Sequence, residues 1–209
     1  HGMGTHTEID HLTVSETTTV VFEWTIGEDI VETGGELLVC WRWPFDWSDL
    51  QPDDPSADGF MSLEFESASE SSPDVTLRPV YNWFSGIEPW HHQAHVKVDN
   101  GQLRQGDRIR LTCGDTSQGS LGWRAPTCVD NHVEFLMAID QRGDAIRNRL
   151  PQQPSFPVVP GPPVRITAIA HSDTVVGDSA EVIVRAEDCW GNATVLADLP
   201  ILTTDPNSN

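Results

Sequence analysis

The sequence predicts an all-β protein: an antiparallel β-sandwich followed by a partial immunoglobulin-like β unit. Short segments alternate apolar with polar residues, and turn residues such as Gly, Asp and Asn separate them. No segment repeats its apolar residues with the 3.6-residue period of a helix. A proline-rich stretch then divides the chain into a longer and a shorter region.

Alternation defines the strands of the first region, residues 13–150. In residues 108–113, Ile109 and Leu111 alternate with two arginines, as in a strand with one buried face. Residues 18–26 are β-branched and aromatic, which favours a strand. The odd positions of residues 36–43 are expected to face a core; they are Leu37, Val39, Trp41 and Trp43. Further strands are predicted at 60–65, 75–80, 95–98 and 132–139.

The second region is predicted to be a half-sized β unit, residues 164–209. Strands are expected at 164–169, 180–185 and 195–203, about half of an immunoglobulin-like domain. Six prolines in residues 151–163 indicate a linker or an extended strap, because proline cannot donate to a strand ladder. So small a unit is expected to pack on the first region or to form a homodimer by strand addition. Residues 1–12 are expected to be a loose or tag-derived N-terminus.

The charge of the chain argues against two classes of partner. Thirty-two acidic residues face twelve basic ones, the formal net charge is −20, and Lys97 is the only lysine. Nucleic acid and anionic membrane surfaces both require cationic groups, so neither is an expected partner. No run of about 18 apolar residues predicts membrane insertion, and no signal-peptide pattern is visible. The acidity instead favours a highly solvated protein, one from a saline setting, or one that attracts cations.

Four stretches of the sequence carry a resemblance to a family. They are DWSDLQPDDPSADGF (46–60), GDRIRLTCGDTSQGSLGWRAPT, VEFLMAIDQRGD and VVGDSAEVIVRAEDCWGNAT, with a proline-bounded link before the last. Together they resemble the N-terminal β-sandwich region of large, mostly uncharacterised bacterial proteins. Those proteins carry a metal-dependent hydrolase domain downstream, similar to the polymerase-and-histidinol-phosphatase (PHP) phosphoesterases. The resemblance covers most of residues 37–194.

The resemblance implies an accessory region without the catalytic part. The family's hydrolase opens its metal site with a Gly-Asp-x-His-x-His motif, and this sequence does not contain that motif. No catalytic residue therefore carries over. The region is expected to position, cap or target the hydrolase domain. Cys113 and Cys128 depart from the family pattern, which has aromatic or aliphatic residues there.

Two groups of residues are candidate metal ligands. The first comprises His91, His92 and His95, with Glu88 nearby, and such residues suit Zn²⁺. Pro89 and the following strand disfavour a shared helical face, so ordinary loop histidines are the favoured interpretation. The second group suits Ca²⁺ and consists of Asp46, Asp49, Asp53, Asp54 and Asp58. Two prolines interrupt it and its spacing is not that of an EF-hand, so a solvated acidic loop is favoured and no cofactor is expected.

Four loop tryptophans are candidate binding residues, since a sugar can stack on an exposed aromatic face. They are Trp47, Trp83, Trp90 and Trp123. Large aromatic residues are highly buried on average, so packing is the favoured role for most of them.

The cysteines allow one disulfide hypothesis. Cys113 and Cys128 flank a glycine-containing loop, and a bond between them would stabilise the fold by about 3 kcal/mol. Such a bond would also indicate an extracytoplasmic protein. Cys40 and Cys189 are expected to be unpaired. Four reduced thiols in a cytosolic protein are an equal alternative, so the localisation stays open.

Three functions remain from the sequence. The first is the accessory role beside a hydrolase domain. The second is a stand-alone module that binds glycans or a partner protein through loop tryptophans. The third is a metal-dependent hydrolase that uses His91, His92 and His95, although no catalytic arrangement of Ser or Cys with His and Asp stands out.

Overall fold

A computed structural model describes residues 3–6, 9–42, 46–69, 74–84, 87–173, 175, 177 and 181–196. The chain divides into two compact units, His1–Val159 and Pro160–Asn209. The described residues form strands, turns and irregular segments without a helix, which confirms the all-β fold class. Among them, accordingly, no helix has the length and apolarity needed to cross a membrane.

The first unit contains thirteen strands among its described residues. They are β1 (Met3–His6), β2 (Leu12–Thr13), β3 (Thr17–Thr18), β4 (Val20–Thr25), β5 (Glu36–Trp41), β6 (Met61–Glu66), β7 (Thr76–Asn82), β8 (His92–Asn100), β9 (Arg108–Cys113), β10 (Trp123–Arg124), β11 (Asp130–Asp140), β12 (Arg147–Arg149) and β13 (Ser155–Val159). One sheet has the order β1-β4-β9-β6, and a larger one has the order β2-β13-β11-β5-β8-β7, with β12 pairing with β11. Strands β3 and β10 form a small ribbon. The pairs are antiparallel except β13 with β2.

The two large sheets pack face to face around one apolar core. Alternate residues of β4 point inward, and Phe22 and Trp24 are fully buried there. The Phe22 ring lies 5.4 Å from that of Phe135 on β11 of the other sheet. Burying one such side chain stabilises the folded state by roughly 1.5–3 kcal/mol. The arrangement is a β-sandwich.

Strand β5 is buried on both faces, which its sequence pattern did not predict. Leu37, Val39 and Trp41 face the core as expected, while Trp43 lies outside the described residues. Leu38 and Cys40 form a second buried cluster with Leu136 and Ala138 under Trp90. The segment around Trp90 therefore covers the outer face of the larger sheet.

Two expectations about segment boundaries differ from the structure. Residues 3–6 and 12, within the N-terminus expected to be loose, belong to β1 and β2, which pair with the edges of β4 and β13. The proline-rich stretch 151–163 is not simply a linker. Its middle part, β13, pairs with β11 and β2, and Phe156 and Val158 reach the core. The prolines flank this strand except for Pro157, which lies within it.

The second unit contains one three-stranded antiparallel sheet among its described residues. Its strands are β14 (Arg165–Ala170), β15 (Val182–Glu187) and β16 (Ala193–Thr194). Register pairs Ile166 with Ala186, Ala168 with Val184, and Ala170 with Val182. One face of β14 and β15 is therefore entirely apolar. The strand predicted at 195–203 lies mostly outside the described residues.

Candidate functional site

Carboxylates of the acidic loop accept hydrogen bonds from groups of their own loop and of neighbouring loops. Asp46 accepts hydrogen bonds from the backbone N–H and the hydroxyl of Thr127, at 2.7 and 2.9 Å. Asp58 accepts one from the Leu121 N–H. Asp54 accepts from the hydroxyl and the N–H of Ser56, and these bonds lower the pKa of Asp54. These three carboxylates thus bond separately to different loop groups.

The three histidines also have separate surroundings. His91 lies 3.2 Å from the Glu88 carboxylate, before β8 begins. His92 and His95 are three residues apart on β8, so their side chains project from opposite faces of the sheet. His95 is buried beside the Gln93 amide, and burial, followed by the charges of nearby basic residues, lowers its pKa to about 4. Within the described ranges, no three or more His, Cys, Asp or Glu side chains form a group that could hold a metal ion.

Three of the four candidate tryptophans are core residues. Trp47, Trp90 and Trp123 are buried, and the rings of Trp47 and Trp123 stack at 4.1 Å. The Trp123 indole N–H donates to the Ser48 carbonyl, which fixes its orientation. These side chains offer no exposed ring face, which agrees with the packing role that the sequence favoured. Trp83 is different, because 60% of its surface is exposed.

The proposed disulfide is absent, and all four cysteines are free. Cys113 is fully buried, because it continues the inward-facing positions of β9, whereas Cys128 is exposed in the loop before β11. Proximity in sequence could not reveal that the two side chains have such different surroundings. Burial raises the pKa of Cys113 strongly and that of Cys40 to about 12, so both remain protonated thiols.

Aromatic side chains gather where β7 ends and β8 begins, and two of them, Trp83 and Phe84, are exposed. We call this surface the Trp83 patch; it comprises Tyr81, Trp83, Phe84, His91 and His92. The Trp83 ring meets the His92 ring edge-on at 5.9 Å, and Phe84, 67% exposed, stacks on His91 at 5.1 Å. Trp83 and Phe84 are thus exposed rings backed by imidazoles.

A hydrogen-bonded chain of three side chains runs beside these rings. The Tyr81 hydroxyl lies 3.0 Å from the Asp49 carboxylate and 3.0 Å from Nδ1 of His92. Burial, and then the Asp49 hydrogen bond and charge, raise the pKa of Tyr81 strongly. Burial is also the main reason that the pKa of His92 is lowered, against the raising effect of Asp49. Both side chains are therefore neutral at pH 7.

The core holds this chain of side chains in place. Trp41 stacks almost parallel with His92, at 5.5 Å and 6°, and with Tyr81, at 6.0 Å and 13°. Trp41 in turn meets Trp123 edge-on at 5.0 Å. Since Trp41 is fully buried on β5, the Trp83 patch is attached directly to the sandwich core.

The structure brings together three residues that the sequence placed in three separate groups. Asp49 was a calcium candidate, His92 a zinc candidate and Trp83 a sugar-stacking candidate. Tyr81 connects Asp49 with His92, and the His92 ring contacts Trp83. The sequence interpretation missed Tyr81 and Phe84 because it considered tryptophans alone. The adjacent aromatic residues Trp83 and Phe84, shortly after the strand predicted at 75–80, were the signal that could have identified the patch.

The Trp83 patch offers stacking and hydrogen bonding. Exposed ring faces lie beside a phenol, an imidazole and a carboxylate, which together donate and accept hydrogen bonds. Such a mixture of aromatic surface and a few placed polar groups is typical of a recognition site.

Comparison with known proteins identifies no family. No protein-family model matches the chain, and no curated protein matches it. Among solved structures it is similar to AvmM, which catalyses macrocyclisation in alchivemycin A biosynthesis. That match has a TM-score of 0.38 and 13% identity, and it covers 77% of this chain and 90% of AvmM. It is also similar to a cohesin module from a Clostridium perfringens ATCC13124 family 33 glycoside hydrolase, with a TM-score of 0.36 and 13% identity over 76% of this chain and 96% of the module. Likenesses this distant carry no functional argument.

Proposed function

We propose that the first unit is a recognition module that binds a neutral glycan on the Trp83 patch. The observation that carries this proposal is the pair of exposed rings, Trp83 and Phe84, beside the hydrogen-bonded Tyr81 and Asp49. A sugar ring has an apolar C–H face and a rim of hydroxyl groups. An aromatic face next to fixed hydrogen-bond acceptors complements both features, because sugar hydroxyl groups can donate to those acceptors.

The charge of the chain favours a neutral ligand over an acidic one. With a formal net charge of −20, the protein repels anionic sugars at long range. At close range, Asp49 and Glu88 would also face any ligand carboxylate or sulfate. A neutral oligosaccharide meets neither penalty, and its hydroxyl groups can donate to these carboxylates.

An oligosaccharide array tests this proposal directly. The purified protein is applied to neutral oligosaccharides and to uronic- and sialic-acid-containing ones, and binding is expected for neutral sugars only. Trp83→Ala removes the main stacking face and is expected to weaken binding at least tenfold, which corresponds to roughly 1.4 kcal/mol. Trp190→Ala is the matched control, because Trp190 is an exposed tryptophan of the second unit.

Three results would oppose this function. Binding to acidic sugars alone would contradict the charge argument. Equal losses for Trp83→Ala and Trp190→Ala would show that the patch has no special role. No binding to any sugar, with a folded protein, would leave the patch without a glycan ligand and would refute the proposal.

The accessory role beside a metal-dependent hydrolase stays a prediction, and glycan binding is compatible with it. A module that binds a glycan can target an attached enzyme to its substrate. The nucleotide sequence of the source gene beyond the codon for Asn209 is the decisive observation. A downstream Gly-Asp-x-His-x-His motif would support the accessory role, and a stop codon would oppose it.

The hydrolase hypothesis for this chain itself is tested by metal analysis of the purified protein, where stoichiometric zinc would support it.

A further inference from the structure

The protons of the Asp49–Tyr81–His92 chain can be assigned from its geometry. Tyr81 has one hydroxyl proton, and its oxygen contacts both Asp49 and His92 at 3.0 Å. An ionised carboxylate can only accept a hydrogen bond, so the Tyr81 proton goes to Asp49. The contact with His92 then needs a proton from the imidazole, which places it on Nδ1.

This assignment leaves the other ring nitrogen of His92 as a bare acceptor. A neutral imidazole carries one proton, so Nε2 has a free lone pair. His92 is 96% buried, since only 4% of its surface is exposed, and its Nε2 has no hydrogen-bond partner among the described residues. A buried acceptor without a partner is unfavourable, and native structures usually provide one.

Trp83 is the exposed side chain of the patch that contacts the His92 ring. Its ring meets the His92 ring edge-on at 5.9 Å, and most of its own surface is exposed. Exposed side chains change rotamer within picoseconds to nanoseconds, so the indole can turn away from the His92 ring and still present its face to a bound sugar. The His92 ring itself is held by its parallel stack on Trp41.

We propose that His92 Nε2 accepts a hydrogen bond from a ligand hydroxyl, and that Asp49 sets this preference through Tyr81. This proposal rests on glycan binding at the Trp83 patch, and it assigns the specificity of that site. The ligand must present a donor to Nε2, as a sugar hydroxyl does; an ether or carbonyl oxygen at that point would leave two acceptors facing each other. Asp49 acts as a positioning residue, because it affects the ligand through the tautomer of His92.

Nuclear magnetic resonance of the ligand-free protein tests the tautomer. Long-range ¹H–¹⁵N spectra distinguish a protonated from an unprotonated ring nitrogen. At pH 7 the His92 Nδ1 is expected to be protonated and Nε2 unprotonated. In Asp49→Ala the Tyr81 hydroxyl is released to donate to Nδ1, so the ring proton is expected to move toward Nε2. Asp53→Ala removes another exposed carboxylate of the same loop and is expected to leave the spectrum unchanged.

Titration calorimetry tests the ligand contact, with the neutral oligosaccharide that gives the strongest array signal. His92→Phe keeps a ring on Trp41 but removes both nitrogens, and its affinity is expected to fall about three- to tenfold. Asp49→Ala is expected to lose a similar factor, whereas Asp53→Ala should bind like the natural protein.

Each outcome bears on one claim. A protonated Nε2 in the ligand-free natural protein overturns the inference whatever the ligand does. An unprotonated Nε2 with full affinity in both His92→Phe and Asp49→Ala overturns the ligand contact while glycan binding stands. A protein that binds no oligosaccharide refutes the proposed function, and the ligand contact with it. The expected tautomer together with both affinity losses supports the inference.

Discussion

The two units of the chain place their apolar side chains in different environments. In the first unit, the inward residues of β4, β5, β9 and β11 are almost completely removed from water and form one core. In the second unit, the apolar face of β14 and β15 remains accessible: Ile166 is 51% exposed and Val182 is 45% exposed. Among the apolar residues of these two strands, Ala186 is buried, and the others are exposed or half-buried.

Polar contacts hold the second unit where its apolar contacts are few. Glu187 pairs with Arg165 and, at 3.0 Å, with Arg185. The Asp188 carboxylate accepts hydrogen bonds from the N–H groups of Gly161, Trp190 and Asn192 and from the Asn192 amide. Asp188 is itself buried. One buried carboxylate therefore organises the turn between β15 and β16.

Because of this difference, the two units should be sensitive to different substitutions. A unit stabilised by buried area loses stability when volume is removed from its core. A unit organised around one buried carboxylate loses stability when that acceptor is removed, because several donors are left without a partner.

Removing a core ring of the first unit should have the largest effect. Phe135 is fully buried and its ring contacts those of Phe22, Trp47 and Phe156. Phe135→Ala leaves a cavity between the sheets and is expected to lower the free energy of unfolding by about 3–5 kcal/mol. Chemical denaturation measures this loss. Phe84→Ala, at an exposed phenylalanine, serves as the control and should change stability by less than about 0.5 kcal/mol.

Acid should destabilise the first unit through His95. Its pKa is lowered from 6.5 to about 4 in the folded protein, so the unfolded state binds a proton first as the pH falls. The contribution of His95 to the free energy of unfolding is therefore complete above about pH 6.5. It is lost as the pH falls toward 4, by roughly 3 kcal/mol at most. Unfolding free energies measured between pH 7 and pH 4 show this slope. His95→Gln should reduce it, whereas His132→Gln, at an exposed histidine, should not.

The second unit should respond to loss of the Asp188 carboxylate. Asp188→Ala leaves several turn N–H groups without an acceptor and is expected to cost about 2 kcal/mol, confined to this unit. Hydrogen exchange should show faster amide exchange in residues 182–194, with unchanged protection in β4 and β11. Asp173→Ala, an exposed aspartate of the same unit, is the control. Equal loss of protection in both units would show that they unfold together. It would contradict the expectation that the effect of Asp188→Ala is confined to the second unit.

The sequence predicted strands best where one face is buried and the other is solvated. Strand β9 has the predicted bounds because Ile109 and Leu111 alternate with exposed arginines. The start of β8 was missed, since His92 and Gln93 are polar yet both are buried, and no alternation remains to be recognised. The candidate site was predictable only in part. Asp49 and Tyr81 are 32 residues apart, and only the fold brings their side chains together.

The smallest expected effect concerns the apolar face of the second unit. Ile166→Thr changes a half-exposed side chain and, if the face is open to water, should alter stability by no more than about 0.5 kcal/mol. Val184→Thr, at a less exposed position of the same face, is a more sensitive companion. The sequence interpretation predicted instead that this face is covered, by the first unit or by a second copy of the chain. A loss of 1–2 kcal/mol in Ile166→Thr would favour that prediction, because substituting a covered isoleucine removes buried apolar area. Sedimentation would then separate the two coverings: a dimer that dissociates on substitution identifies the second copy, and a monomer throughout identifies the first unit.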